Sequence, residues 1–184
     1  MPLSITNRVQ TAIKIIAITI AAAVIPGFSQ AANDARITLS GLVTRVVDGD
    51  TVWVQLQGRD KPLKVRLEGI DAPEICQPGG VKAQAALSNW VMGQSVTVIT
   101  RAHDDYGRTV GRVYMQGQDV ARQMVANGHA WVYTFRSRKG TYSSEFAQAQ
   151  NGQRGVFADA RPQEPRLFRK VHGVCQISAY RPTK

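Results

Sequence analysis

Residues 45–54 read RVVDGDTVWV, and residues 65–74 read VRLEGIDAPE. The first stretch is two β-branched and aromatic runs joined by a turn. Asp48-Gly49 carries tight-hairpin chemistry, and Thr51–Leu56 reads as the return strand. Upstream, Arg36–Val47 has the apolar, β-branched pattern of the partner strand. Downstream, Gly58–Lys61 reads as a turn and Pro62–Leu67 as a third strand, with Val65 and Leu67 on one face and Arg66 on the other. In such a meander Asp50, opening the second strand, lies near the end of the third, where Asp71 sits. These acids are either solvated turn and rim residues or oxygen ligands shared by two chain segments.

Helical spacing follows from Val81 to Met92, where Ala85, Ala86, Leu87, Trp90 and Val91 fall on one stripe that Gly93 ends. Ser95–Thr100 reads as a fourth strand, His103–Gly107 as a turn and Arg108–Met115 as a fifth strand. A second helix is expected over Asp119–Asn127. A third starts near Ser143, with Ser143 as its cap and Glu145 in its first turn. The proline- and arginine-rich segment after Asp159 specifies no element. Three strands, a helix, two strands and then helices is the order of an α+β, mainly β fold. The expected architecture is a five-stranded OB-type barrel packed with about three helices.

The 184 residues suit one domain with a proper core, and 43% apolar with 20% charged residues is a globular composition. The net charge of +10 draws the chain toward polyanions such as nucleic acid, anionic lipid or acidic polysaccharide. Met1–Lys14 carries Arg8 and Lys14 and no acid; the apolar run IIAITIAAAVI follows, then small residues at Ser29-Gln30-Ala31. This is the pattern of a cleavable secretory signal over residues 1–31. Its eleven apolar residues before Pro26 fall short of a membrane-spanning helix. Cleavage removes two positive charges and leaves 10 − 2 = +8. The mature chain is expected to be secreted or periplasmic, not membrane-bound, with a domain over 36–160 and a basic tail over 161–184. Cys76 and Cys175 are the only cysteines. In an oxidising compartment they can pair, pinning the tail to the loop after Glu74; otherwise they are two buried thiols. Nothing calls for an obligate protein partner, and a monomer is expected.

Asp48, Asp50, Asp71 and Glu74 are oxygen ligands suited to a hard cation such as Ca²⁺. Arg66 and Arg108 are guanidinium forks that bind phosphate oxygens and stay charged at any working pH. His103, His129 and His172 show no metal-ligand spacing and read as structural or surface residues. Trp53, Trp90 and Trp131 are assigned to the core. Tyr106 and Tyr133, beside a turn and a strand end, are the better candidates for stacking on bases.

Together V-V-D-G-D-T-V, V-R-L-E-G-I-D-A-P-E, D-D-Y-G-R and G-V-F-A-D resemble the staphylococcal nuclease (thermonuclease) family, in order and spacing, from Thr44 to Asp159. The resemblance implies an OB-fold barrel and Ca²⁺-dependent cleavage of DNA and RNA, leaving a 3′-phosphate and a 5′-hydroxyl. By position, Asp50 and Asp71 match the family's metal ligands. Ala72 stands where the family donates a backbone carbonyl to the metal, its usual residue there being threonine. Glu74 matches the proposed general base, Arg66 and Arg108 the phosphate-gripping arginines, and Asp48 an acid behind the ligands. Asp105 departs from the pattern, standing where the best-known member has a lysine near the nucleotide's phosphate. Two rival readings remain: a catalytically inactive OB-fold module that binds nucleic acid, and a protein held by charge on anionic polysaccharide or lipid.

Overall fold

The computed structural model describes residues 36–133 and 140–175. The segment expected to be a signal, the stretch after Tyr133 and the end of the tail lie outside the described residues. Five strands form the barrel: β1 (Thr38–Val46), β2 (Thr51–Leu56), β3 (Leu63–Leu67), β5 (Ser95–His103) and β6 (Thr109–Met115). They are ordered β3-β2-β1-β5-β6, and a parallel pairing of β3 with β6 closes the sheet on itself. Closure removes the exposed edges that an open sheet would present. Two short strands, β4 (Ile70–Asp71) and β8 (Trp131–Val132), pair separately, and β7 (Gln118–Asp119) folds back to pair antiparallel with the end of β6.

Period-two alternation builds the core: Val52, Val54 and Leu56 from β2, Val65 and Leu67 from β3, and Val96 and Val98 from β5 point inward. A register shift between Val43 and Arg45 marks a bulge in β1, so Val43 and Val46 are the inward pair there. The same alternation corrects the assignment of Trp53 to the core. With Val52 and Val54 inside, Trp53 faces out, and Arg45 and Lys64 lie 5.0 and 5.3 Å from its ring centre. Trp131 is buried, and Trp90 packs partly buried against the core.

Among the described residues there are four α-helices where about three were expected: α1 (Gly80–Val91), α2 (Val120–Ala126), α3 (Ser143–Asn151) and α4 (Pro165–His172). The buried face of α1 is Ala83, Leu87 and Val91, whereas Ala85 is exposed. Small side chains fit either face, so alanine placement does not fix the phase of a helix. Asp119 caps α2 by accepting the Arg122 N–H at 3.2 Å, and also accepts the Tyr142 hydroxyl at 2.9 Å. Ser143 does not cap α3: the residue before the helix is Tyr142, and the Ser143 hydroxyl donates back to the Gly140 carbonyl at 2.7 Å. Trp131, Phe146 and Phe157 meet edge-on, with centroids 5.0 and 5.3 Å apart, and seat α3 on the barrel.

Candidate active site

The turn between β1 and β2 begins the site. Gly49 is there for space rather than for a left-handed backbone: an added Cβ would lie 2.7 Å from Ala72 Cβ and 2.8 Å from Ala83 Cβ. The turn therefore packs onto α1, and Gln84 Nε2 donates to the Val47 carbonyl at 3.0 Å. Asp48 Oδ1 accepts the Asp50 N–H at 3.0 Å, which aims the Asp50 side chain. Asp50 is almost wholly buried, its side chain 3% exposed. Its Oδ1 accepts from Thr51 Oγ1 at 2.9 Å and Arg66 Nη1 at 2.8 Å, and its Oδ2 from the Ala72 N–H at 3.0 Å.

Register delivers Arg66, since Thr51 on β2 faces Arg66 on β3. Its second nitrogen, Nη2, donates to Asp71 Oδ1 at 3.0 Å, so one planar fork joins the two buried aspartates. Burial acts against the Arg66 charge, but Asp50 and then Asp71 outweigh it and raise its pKa further. The half-buried Asp48 carboxyl is pushed up to about 7, by burial first and then by the neighbouring Asp50 charge.

Glu74 lies in the loop between β4 and α1. Its N–H donates to Gln77 Oε1 at 3.2 Å, and Gln77 Nε2 donates onward to the Gln163 carbonyl at 2.6 Å. Arg108 opens β6. Its backbone N–H and its Nε donate to the two oxygens of Asp104, at 2.9 and 2.7 Å, and Nη1 reaches Thr51 Oγ1 at 3.4 Å. Thr51 thus links Arg108 to Asp50. Tyr106, 75% exposed, stands in the same turn with the Arg108 guanidinium 5.2 Å from its ring centre.

A fourth helix reaches this cluster. Arg169 on α4 donates through Nη1 to Asp71 Oδ1 and Glu74 Oε1, both at 3.0 Å, and through Nη2 to Asp71 Oδ2 at 2.9 Å. Phe168 is buried beneath the helix, and Cys175 just beyond it is disulfide-bonded to Cys76, with Cα atoms 5.9 Å apart. Hydrogen bonds donated to Asp71 lead the causes that raise the Arg169 pKa, so this charge is permanent.

Among the described residues no three carboxylate, imidazole or thiol groups converge as a ready ligand cage. Guanidinium groups space the acids instead. The donor chemistry still fits a hard divalent cation, because Asp50, Asp71 and Glu74 offer only oxygen. Arg169 already places positive charge between Asp71 and Glu74.

Residues 64–155 match the family described as staphylococcal nuclease homologue. An uncharacterized endonuclease of Haemophilus influenzae is 38% identical over 128 residues, 70% of this chain and 71% of its own length. The chain belongs to the staphylococcal nuclease family. An uncharacterized endonuclease of Escherichia coli O157:H7 is 36% identical over 132 residues, 71% of this chain and 85% of its own. The probable staphylococcal-like nuclease CAN1 of Oryza sativa subsp. japonica is 41% identical over 110 residues, 60% of this chain and a third (33%) of its own length. Asp48 and Asp50 precede the segment matched to the family, whereas Arg66, Asp71, Glu74 and Arg108 fall within it.

The structure brings Asp48, Asp50, Arg66, Asp71, Ala72 and Glu74 together at one end of the barrel, with Arg108 joined through Thr51. Tyr133 is half-exposed, and its N–H donates to the Gly69 carbonyl at 2.9 Å; among the described residues no hydrogen bond joins it to the acids. His129 is half-buried with its pKa lowered by burial, and His172 stacks on Phe168, so neither faces the cluster. Arg169, Thr51 and Gln77 are the members that sequence reasoning missed. The signal for Arg169 was the cysteine pair, which brings the arginine-rich tail beside Glu74.

Proposed function

We propose that this member of the staphylococcal nuclease family is a Ca²⁺-dependent, sugar-non-specific nuclease that hydrolyses DNA and RNA to 3′-phosphate products. The observation carrying this reading is the Arg66 fork held between two buried aspartates, with Glu74 and Arg108 joined to the same cluster. The endonuclease names of the Haemophilus influenzae and Escherichia coli relatives support the reaction class.

In this reading Asp50, Asp71 and the Ala72 carbonyl hold the cation. Calcium, when bound, offsets charge on the phosphate oxygens and acidifies a nearby water. Glu74 takes a proton from the attacking water as its oxygen bonds to phosphorus. The bond from phosphorus to the 5′-oxygen breaks, that oxygen takes a proton from solvent water to leave as an alcohol, Glu74 returns its proton to solvent, and phosphate stays on the 3′ side. Arg66 and Arg108 face charge that grows on the equatorial oxygens, where fixed donors in a partly buried site do most. Tyr106, exposed beside Arg108, would stack on a base in this reading. The disulfide supports the further proposal that the mature protein works in the periplasm or outside the cell.

Labelled single-stranded DNA, incubated with Ca²⁺ and then with a chelator, tests the proposal. Cleavage that requires Ca²⁺ and leaves 3′-phosphate ends is expected. A second reading, binding without cleavage, draws on Arg169 lying among the acids. Retention of DNA with no cutting in either condition would replace the first reading with the second.

A further inference from the structure

The barrel accounts for Asp50, Arg66 and Arg108, but not for a fourth helix that inserts an arginine between Asp71 and Glu74. Three ties bring that helix there. Gln77 bonds both the Glu74 N–H and the Gln163 carbonyl; Phe168 is buried; and Cys175 is bonded to Cys76, two residues after Glu74. Arg169 itself is 27% exposed at the side chain, while Asp71 beneath it is 5% exposed. Such a contact does more than decorate a surface.

Lone pairs show its consequence. A carboxylate offers about four acceptor positions. Asp50 has three occupied, by Thr51, Arg66 and the Ala72 N–H. Asp71 likewise has three occupied, one by Arg66 and two by Arg169, and Glu74 gives one to Arg169. With Arg169 in place, Asp71 has one position left for a cation. With Arg169 withdrawn it has three, and among the described residues no other hydrogen bond holds the Glu74 carboxylate. The guanidinium and a divalent cation therefore need the same oxygens, and their like charges oppose simultaneous occupation.

We propose that Arg169 is an internal counter-ion of the cation site, which Ca²⁺ must displace from Asp71 and Glu74 in order to bind. This rests on the calcium reading above and adds regulation to it: the tail helix lowers the apparent affinity for the cation, and cation binding loosens the tail helix. The two effects are reciprocal, as any competition between two ligands for one site must be.

Calorimetric titration of Ca²⁺ into the oxidised full chain tests this without any nuclease assay. Arg169→Gln is expected to bind Ca²⁺ about tenfold more tightly than the wild type, since charge-assisted bonds no longer have to be broken. Arg166→Gln removes the same charge from the same helix but none of the contacts, and is expected to stay within about twofold. Equal or weaker binding by Arg169→Gln overturns the proposal while leaving calcium binding intact. No binding by any of the three chains overturns the calcium reading and this proposal with it. Amide exchange on the unaltered chain decides the matter even if the variant folds poorly. Saturating Ca²⁺ is expected to speed exchange across Pro165–His172, and unchanged or slower exchange there overturns the displacement.

Discussion

Gly80→Ala separates local propensity from the geometry of the site. Gly80 is the first residue of α1, and an added Cβ would lie 1.8 Å from the Glu74 carbonyl oxygen, 2.7 Å from its carbon and 3.0 Å from Ile75 Cα. Ordinary van der Waals separation is about 3.5 Å, so the two backbones must part by roughly 1.5 Å. The same Glu74 oxygen accepts the Gln77 N–H at 2.8 Å, and Gln77 in turn accepts the Gly80 N–H at 2.8 Å. Movement at Gly80 therefore reaches Glu74 directly. Helix propensity alone favours alanine by about 1 kcal/mol. Overpacking against backbone costs about 1–3 kcal/mol, and weakening the Gln77 bond about 1 kcal/mol. We expect a net destabilisation of about 1–3 kcal/mol, which leaves the chain folded. Activity should fall much further, by about a hundredfold, because Glu74, the general base of the proposed reaction, loses its alignment when displaced by about 1 Å. The assay is the initial rate on labelled single-stranded DNA at saturating Ca²⁺, with a urea midpoint on the same sample. A rate within about threefold of wild type would refute the link between Gly80 and Glu74.

Arg66→Lys replaces a fork that spans Asp50 and Asp71 with a point charge able to hold one of them; turnover should drop about a hundredfold or more, and near-full activity would remove Arg66 from the phosphate clamp. Cys175→Ser opens a disulfide that spans 99 residues of sequence. Stability should fall by up to about 4.7 kcal/mol on the chain-entropy account. Ca²⁺ binding should also tighten as α4 loosens, and an unchanged affinity would uncouple the tail from the site. Asp104 supplies a pH prediction. Burial opposes its ionisation, but hydrogen bonds from Arg108 and Tyr106 outweigh it, and its pKa is lowered. A carboxyl depressed in the folded state stabilises above its unfolded pKa, and loses that contribution as pH falls through the folded value. The urea midpoints of wild type and Asp104→Asn should therefore differ at pH 7 and converge below about pH 4; a constant gap would exclude the ionised pair.

The barrel was legible because three of its strands alternate cleanly. Val52, Val54 and Leu56 on β2 and Val65 and Leu67 on β3 fix which face is inside, and with it which residues stand at the rim. That alternation also placed Arg66 opposite the core, so the meeting of Asp50, Arg66 and Asp71 follows from register. Gly49 was read as turn chemistry because Asp-Gly dipeptides suit hairpins. Its true constraint, the approach of Ala72 and Ala83, appears only once α1 is docked.

Arg169 was illegible for a different reason. Its contact with Asp71 joins residues 98 apart in sequence, and local periodicity in α4 misdirects: Leu167 and Val171, four apart, suggest a buried stripe but are exposed. Phe168 docks the helix instead, and that turns Arg169 toward the carboxylates. Phe168→Ala therefore examines orientation without touching charge. Losing the buried ring removes the anchor but leaves Arg169, Gln163 and the disulfide in place. If docking is what presents the guanidinium, Ca²⁺ affinity in this variant should move toward that of Arg169→Gln. If affinity instead stays at the wild-type value while α4 frays in amide exchange, the disulfide and Gln77 alone suffice to hold Arg169 on the acids.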